Sequence, residues 1–281
     1  MHAEPRNPRW SPALRASAGL HVAALAAAAA FPAAWPWLLG GVVANHAVLG
    51  AAGMWPRSQL LGPNLVALPP GHTARREVAL TFDDGPNPAV TPAVLDLLDR
   101  HGATASFFCI GQQAAKHPDL LRDIVARGHR VENHSQTHPN SFACLLPAGL
   151  AREIGTAQTT LATLAGQAPR YFRAPMGLRN PMLQPVLARL GLHLAAWTRR
   201  GYDGVNGEAD TVLQRLVTGV AAGDVLLLHD GRCGRTRDGQ ALVLAVLARL
   251  LERLGDLGLK GVALPVTEGQ GAALDPVKAE P

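Results

Sequence analysis

The feature that most restricts the fold is an alternation of short β-rich runs with helical patterns, which begins at Glu77. Strands are predicted at 78–82, 106–110, 129–133, 170–173, 193–197, 225–228 and 261–264. Helices are predicted between them, from Thr91 onward and at 118–127, 147–165, 181–190, 209–221 and 239–254. Strands that alternate with helices pair in parallel, so the pattern predicts an α/β fold, either an incomplete barrel or an open sheet.

Chemically capable side chains stand repeatedly at the ends of these predicted strands. Asp83 follows the first strand, His134 the third and His229 the sixth, while Arg173 ends the fourth and Trp197 the fifth. Parallel α/β folds place their active sites at the carboxyl ends of the strands. We therefore expect these residues to meet at one edge of the sheet.

The segment HSQTH at 134–138 contains two histidines four residues apart. On one face of a helical turn, both imidazoles would reach a single metal ion. The spacing alone is weak evidence, because the chain has 11 histidines and His117 and His129 lie just before this segment.

Two adjacent carboxylates, Asp83 and Asp84, follow the first predicted strand. Neighbouring carboxylates repel each other, so a plain Asp-Gly turn gains little from having both. One carboxylate and two histidines would form a three-ligand catalytic zinc site with an open position for water. Zinc lowers the pKa of such a water to about 7 and leaves the second carboxylate available for proton transfer.

Together these segments resemble the polysaccharide deacetylase family, also called the NodB-homology domain or carbohydrate esterase family four, over about residues 77 to 265. TFDDGP at 81–86 is similar to the first family motif, which implies Asp83 as general base and Asp84 as a metal ligand. HSQTH is similar to the second, which implies His134 and His138 as the other ligands. The implied cofactor is one divalent metal, Zn²⁺ in the first place, with Co²⁺ or Mn²⁺ as alternatives. We accordingly predict a distorted, incomplete (β/α)7-type barrel with an N-terminal transmembrane helical hairpin.

Two further segments extend the resemblance. RAPMG at 173–177 is similar to the third motif, in which Arg173 holds the base and the backbone amide of Met176, beside Pro175, helps to stabilise the oxyanion. LLLH at 226–229 is similar to the fifth, whose histidine, His229, is the general acid. The implied activity is hydrolysis of an N-acyl group, in the first place N-acetyl, from an amino sugar.

The chain departs from the family pattern at two motifs. Family members often have an aromatic residue in place of Met176, which changes the wall that faces the sugar. At the fourth motif, HLAAW at 193–197 keeps Trp197 but lacks the acidic residues. Trp197 is interpreted as lining the acyl pocket, with an ordinary core tryptophan as the alternative. Asp203 and Asp230 are both candidates for the missing aspartate that tunes the acid histidine, and an exposed loop aspartate is an equal alternative for Asp203.

The opposing class of function is a non-catalytic relative that binds sugar or lipid. The incomplete fourth motif supports that class, whereas the retained proton-transfer pair, Asp83 and His229, argues against it.

The N-terminal region contains no charged residue from 16 to 56. As helix, this window would measure roughly 60 Å, about twice the ~30 Å thickness of a bilayer core. We predict a transmembrane hairpin with helices at 14–31 and 35–55, in which Asn45 and His46 are polar exceptions near the centre of the second. A signal peptide at 9–34 and a hairpin of buried core helices are the alternatives.

Arginines lie at the outer ends of the hairpin and none lies in its turn, so the positive-inside rule predicts a cytoplasmic catalytic domain in a bacterial-type inner membrane. Three cysteines without a CxxC pair agree with a reducing compartment. The domains are predicted as a membrane hairpin at 1–60, a linker at 61–76, a catalytic domain at 77–268 and a disordered tail at 269–281. This arrangement favours a lipid-linked or membrane-proximal glycan precursor as substrate. The alternative is an outward-facing deacetylase of envelope polysaccharide or peptidoglycan.

The formal net charge of +5 does not indicate a nucleic-acid partner. The basic residues flank the apolar window or share one loop, where Arg232, Arg235 and Arg237 lie, and only 5% of residues are aromatic. Neither a basic helix face nor a basic and aromatic stripe is present in the sequence. Charge beside a membrane explains the excess more simply, and no obligate protein partner is inferred.

Overall fold

The strands form one parallel sheet in this computed structural model, which describes residues 10–265. The predicted tail at 269–281 lies outside them. The strands are β1 (Glu77–Asp83), β2 (Ser106–Cys109), β3 (Arg130–Asn133), β4 (Tyr171–Phe172), β5 (His193–Leu194), β6 (Arg199–Arg200), β7 (Val225–His229) and β8 (Lys260–Val262). Their order is β5-β4-β3-β2-β1-β7-β6, with β8 pairing with the start of β1. The predicted parallel α/β architecture is confirmed, and the path ends at β5 and β6 without a pairing that would close the barrel.

Ten α-helices connect or precede these strands. They are α1 (Pro12–Ala30), α2 (Trp35–Met54), α3 (Pro70–Ala74), α4 (Thr91–Arg100), α5 (Gly111–Lys116), α6 (Pro118–Ala126), α7 (Pro147–Ala165), α8 (Leu183–Arg189), α9 (Ala209–Val217) and α10 (Leu242–Asp256). Gly166 ends α7 in the left-handed conformation, at φ 68°, which a glycine adopts without a Cβ clash.

The side chains of β1 divide between the two faces of the sheet. Successive side chains of a strand point to opposite faces. Leu80 and Phe82 pack into the large apolar cluster that α4 and α10 complete. Ala79 packs instead into a smaller cluster on the inner face, with Phe108 and Leu227. Residues 81 and 83 have the same parity as Ala79, so the strand directs Thr81 and Asp83 to the inner face as well.

The N-terminal hairpin consists of α1 and α2, which are joined by a short 3-10 turn (Pro32–Ala34). Both helices are long and apolar enough to cross a membrane, and large side chains such as that of Trp37 are mostly exposed. The polar residues of the hairpin pair with each other. Asn45 Nδ2 donates to Ser17 Oγ (2.8 Å), and His21 Nε2 lies 3.1 Å from His46 Nε2. These contacts satisfy polar groups that lie on otherwise apolar helices.

The end of the hairpin contacts the domain that contains the parallel sheet. Arg179 donates its backbone N–H to the carbonyl oxygen of Gly53 (2.9 Å) and its guanidinium to the carbonyl oxygens of Ser58 and Gly62. A Cβ at Gly53 would lie 2.5 Å from the Arg179 carbonyl oxygen, so this approach requires glycine. A small apolar cluster around Leu61 lies beside it. The hairpin is therefore attached to the loop that follows β4.

Candidate active site

Asp83 and Arg173 form a buried ion pair on the inner face of the sheet. The Arg173 side chain is 1% exposed, and its Nη1 donates to Asp83 Oδ1 (2.7 Å) and Thr81 Oγ1 (2.9 Å). It also donates to the carbonyl oxygens of Ala195 and Ala196. Four hydrogen bonds hold the guanidinium in one position, so the Asp83 carboxylate is fixed through Oδ1, while Oδ2 lies 3.9 Å from His134 Nε2.

Three donor atoms converge beside this pair. Asp84 Oδ1 lies 3.4 Å from His134 Nε2 and 3.3 Å from His138 Nε2, and the three atoms lie within 4.8 Å of one another. Asp84 Oδ1 is buried and makes no hydrogen bond. Burial would raise the pKa of Asp84, but His134 and the other nearby histidines lower it well below its ordinary value. An anionic oxygen and two imidazole nitrogens with no hydrogen bond among them fit a metal ion.

His134 is oriented by a backbone carbonyl group. Its Nδ1 lies 2.9 Å from the Arg173 carbonyl oxygen, which can only accept a hydrogen bond. Nδ1 therefore carries the proton, and Nε2 presents its lone pair toward Asp84.

The loop at 134–138 differs from the helical turn predicted for it. Ser135 and His138 have positive φ angles of 66° and 53°, and the Ser135 hydroxyl accepts the His138 backbone N–H (3.0 Å). Glu153, on α7, accepts the backbone N–H and hydroxyl of Thr137, each at 3.0 Å. The expectation of a helical turn was wrong because these side-chain contacts bend the loop, and the bend, not helical spacing, brings the two imidazoles together.

His138 lies between the metal-ligand cluster and Arg232. Its Nδ1 is 3.1 Å from Arg232 Nη1. Burial is the largest factor that lowers the pKa of His138 to about 4, and the charges of His134 and Arg232 add to it. The ring is therefore neutral near pH 7, as a ligand must be.

His229 is paired with an aspartate. It lies at the end of β7, in register with Asp83 of β1. Asp203 accepts the His229 Nδ1–H (2.9 Å) through Oδ1 and the His229 backbone N–H (2.7 Å) through Oδ2. Burial opposes the charged ring, but Asp203 outweighs it and raises the pKa of His229 above its ordinary value. Asp203 is fully buried, not exposed.

Asp230, the other candidate partner, faces away from the His229 ring. Its Oδ2 accepts the hydroxyl of Thr91 (2.5 Å), and its Oδ1 is buried without a hydrogen bond. Burial raises the pKa of Asp230 to about 7. Between the two candidates, the geometry places Asp203 beside the histidine.

An open cavity of about 250 Å³ is lined by Asp83, Asp84, His134, His138 and His229. Its wall includes Met176 and Trp197, whereas Pro175 is buried beside it. Trp197 is 7% exposed, lies three residues beyond β5 and packs over Gly177, so it is both a core residue and a cavity wall. Met176 has φ 58°, and Tyr202, also in the wall, has φ 66°. Left-handed non-glycine residues are costly, and their concentration here marks a site that the surrounding structure holds in place.

Sequence reasoning did not identify Arg200, Tyr202 or Arg232 as part of the site. All three line the cavity. The sequence places Arg232 only in a short basic loop, whereas the structure shows its guanidinium 3.1 Å from His138 Nδ1. The RRGYD run at 199–203 was the available signal, because two arginines and an aromatic residue next to Asp203 form an unusual loop composition.

The comparisons with known proteins agree with this geometry. The family model described as polysaccharide deacetylase matches residues 71–195. A chitooligosaccharide deacetylase from Bradyrhizobium sp. (strain ANU 289) is 37% identical over 190 residues, which are 64% of this chain and 86% of that protein. A peptidoglycan-N-acetylglucosamine deacetylase from Bacillus cereus is 31% identical over 193 residues, 68% of each chain. The solved structure of a family 4 carbohydrate esterase from Streptomyces lividans, in complex with acetate, is 35% identical with a TM-score of 0.59, covering 66% of this chain and 91% of that one.

Proposed function

The chain belongs to the polysaccharide deacetylase family and is a carbohydrate N-deacetylase, and from that premise we propose that it is metal-dependent and removes an N-acetyl group from an amino sugar presented at a membrane surface. The observation that carries the proposal is the shared cavity, in which the Asp84, His134 and His138 donors lie between Asp83 and His229. Curated relatives that act on chitooligosaccharide or on peptidoglycan N-acetylglucosamine support the amino sugar as the substrate class.

The position of each residue in the cavity indicates its proposed role in the reaction. A divalent ion, zinc in the first place, held by Asp84, His134 and His138 would polarise the amide carbonyl and acidify a water molecule. Asp83 takes the proton from the attacking water, and the ion pair with Arg173 holds that carboxylate in position. The backbone N–H of Met176, next to Pro175, is proposed to stabilise the oxyanion, a contribution typically worth ~3 kcal/mol.

His229 completes the proposed reaction. An amine leaves as a neutral molecule, so the nitrogen must receive a proton as its bond to carbon breaks. Asp203 holds the Nδ1–H of His229 and thereby leaves Nε2 as the atom that delivers the proton. A binding module has no use for such a pair, so the geometry favours an enzyme over a non-catalytic sugar-binding relative.

The test of the proposed function is a deacetylation assay on the full-length protein in detergent. Release of acetate from a chitooligosaccharide is measured after EDTA treatment and again after addition of Zn²⁺, Co²⁺ or Mn²⁺. We expect activity to be lost with EDTA and restored by a metal. Activity that persists in metal-free enzyme would contradict the metal-dependent mechanism, and stoichiometric metal without any turnover would favour the binding module.

The hairpin supports a substrate near the bilayer. Its last residues contact the loop after β4, and Arg57 Nη2 donates to the Thr198 carbonyl oxygen (2.6 Å), next to Trp197 in the cavity wall. We propose a membrane-anchored enzyme with a cytoplasmic catalytic domain that acts on a lipid-linked or membrane-proximal precursor. Fusions of phosphatase and of a fluorescent protein to the C-terminus test on which side of the membrane the catalytic domain lies. Fluorescence is expected for a cytoplasmic domain, whereas phosphatase activity would indicate an outward-facing envelope deacetylase.

A further inference from the structure

Two arginines in the cavity have no carboxylate partner. Arg200 and Arg232 both line the cavity that holds the candidate catalytic groups. Within residues 10–265, the ion pairs within 4.0 Å include neither of them. Two carboxylates near the cavity already have other partners, because Asp83 pairs with Arg173 and Asp203 pairs with His229. Within the described part of the chain, no carboxylate therefore forms an ion pair with either arginine.

Arg200 is held in place by aromatic rings. It lies in β6 opposite Leu227, another residue of the cavity wall. Its guanidinium carbon is 5.4 Å from the ring centroid of Trp197 and 5.0 Å from that of Tyr202. The Nε atom is buried and has no hydrogen-bond partner. Stacking leaves the N–H donors of a guanidinium free at its edges, and a buried donor without an acceptor is costly unless a ligand supplies one.

Among residues 10–265, the Arg232 guanidinium has one hydrogen-bonding partner, His138 Nδ1, and a metal bound to His138 would remove that partner. Arginine only donates hydrogen bonds, so the contact with His138 Nδ1 requires that nitrogen to be unprotonated. A neutral imidazole that uses Nε2 as a ligand carries its proton on Nδ1, where it faces the Arg232 N–H group as a second donor. With a metal on His138, Arg232 must therefore turn to another acceptor.

We propose that Arg200 and Arg232 bind a phosphoryl group attached to the acylated sugar, an inference that rests on the proposed function. Both arginines line the same cavity, and a guanidinium group matches the oxygens of a phosphate. A neutral glycan would not require two positive charges at this place. A cavity of about 250 Å³ is smaller than the roughly 300–1,000 Å³ of pockets for drug-sized ligands, so it takes about one sugar ring and its substituent. Thr198, two residues before Arg200, accepts a hydrogen bond from Arg57 at the end of the hairpin, which the proposed function places at the membrane surface.

The test compares N-acetylglucosamine 1-phosphate with N-acetylglucosamine as substrates of the metal-loaded full-length enzyme. We expect kcat/KM to be at least about tenfold higher for the phosphorylated sugar. Arg200→Gln and Arg232→Gln should each lower that ratio by about tenfold. Arg237→Gln is the matched control, because this arginine is in the same loop but its side chain is 90% exposed and pairs with Glu208. A wild-type ratio near one, or an equal loss in Arg237→Gln, would overturn the proposal.

Binding to the Asp83→Asn variant decides the same question without turnover. Calorimetry should show tighter binding of N-acetylglucosamine 1-phosphate than of N-acetylglucosamine, and the difference should disappear in the added Arg200→Gln or Arg232→Gln background. Equally tight binding of N-acetylmuramic acid would replace the phosphoryl assignment by a carboxylate one. An enzyme that hydrolyses neither sugar contradicts the proposed function, whereas this binding comparison still supports or overturns the anion site.

Discussion

Replacing Asp203 by asparagine should weaken the acid step without removing the metal ligands. Both carboxylate oxygens accept hydrogen bonds from one residue, His229, at Nδ1 (2.9 Å) and at the backbone N (2.7 Å). Asparagine has one acceptor oxygen and one NH₂ group of the same shape. One of the two His229 N–H groups must then face another donor, and the ring also loses the negative charge that favours its protonated form.

The expected loss follows from this count of contacts. A hydrogen bond to a charged group contributes roughly 1.5–3 kcal/mol, and about 1.4 kcal/mol corresponds to a tenfold change in rate. The variant should therefore lose roughly tenfold to hundredfold in kcat. The sign of the pH effect is also defined. A general acid works in its protonated form, so activity falls as pH rises through its pKa. Burial lowers the pKa of His229 and Asp203 raises it further than burial lowers it, so the variant should lose activity at a lower pH than the wild type.

The assay is the pH dependence of kcat for acetate release, with metal content measured by elemental analysis in each sample. Asp230→Asn is the comparison, since Asp230 is next to His229 in the chain but bonds to Thr91. If Asp203→Asn changes neither kcat nor the fall of kcat at high pH, the assigned pairing of Asp203 with His229 is refuted. A shifted limb in Asp230→Asn alone would assign the role to the rejected candidate.

Three other substitutions test the remaining parts of the site. Asp83→Asn should retain stoichiometric metal but lose most of the activity, and metal loss by elemental analysis would show that the two adjacent carboxylates have the opposite roles. His138→Ala should lower metal content, whereas full occupancy would remove this histidine from the ligand set. Arg173→Met should lower the free energy of unfolding by ~3–5 kcal/mol, because it leaves Asp83 as a buried unpaired charge. Denaturant unfolding measures it, with Arg127→Met as the control, whose three carboxylate partners are partly exposed; equal losses would contradict the reasoning.

The sequence predicted an element best where its pattern of apolar residues matches the side chains that are buried in the structure. Helix α7 has the predicted bounds, and β1 and β7 extend their predicted strands by one or two residues, because their apolar side chains pack on both faces of the sheet. The pattern failed at β6 (Arg199–Arg200), where two charged residues give no apolar signal and the pairing is supplied by β7. It also overestimated β5, because the chain after Leu194 pairs with Leu65 of the linker only through an isolated bridge.

In the candidate site too, local motifs predicted some features, whereas others depend on residues that are distant in the chain. The motifs indicated which residue types belong together, and the structure brings the five proposed proton-transfer and ligand side chains into one cavity. Two aspartates could not be ranked from the sequence, because the choice depends on which one is packed against the His229 ring. The proposed roles of Arg200 and Arg232 could not be predicted from the sequence either. An arginine without an ion-pair partner is recognised only when the positions of the neighbouring carboxylates are known.

In the proposed membrane-anchored enzyme, the contact between Gly53 and Arg179 would make activity sensitive to the thickness of the bilayer. Helix α2 has 20 residues, or about 30 Å, so it matches an average hydrocarbon core with little surplus. A thinner or thicker lipid phase would tilt or shift such a helix through hydrophobic mismatch. Arg179 is three residues from Met176, so a displaced anchor would move the oxyanion loop with it. Turnover in reconstituted vesicles should then depend on the acyl-chain length of the lipid, and a fragment without the hairpin should not show this dependence.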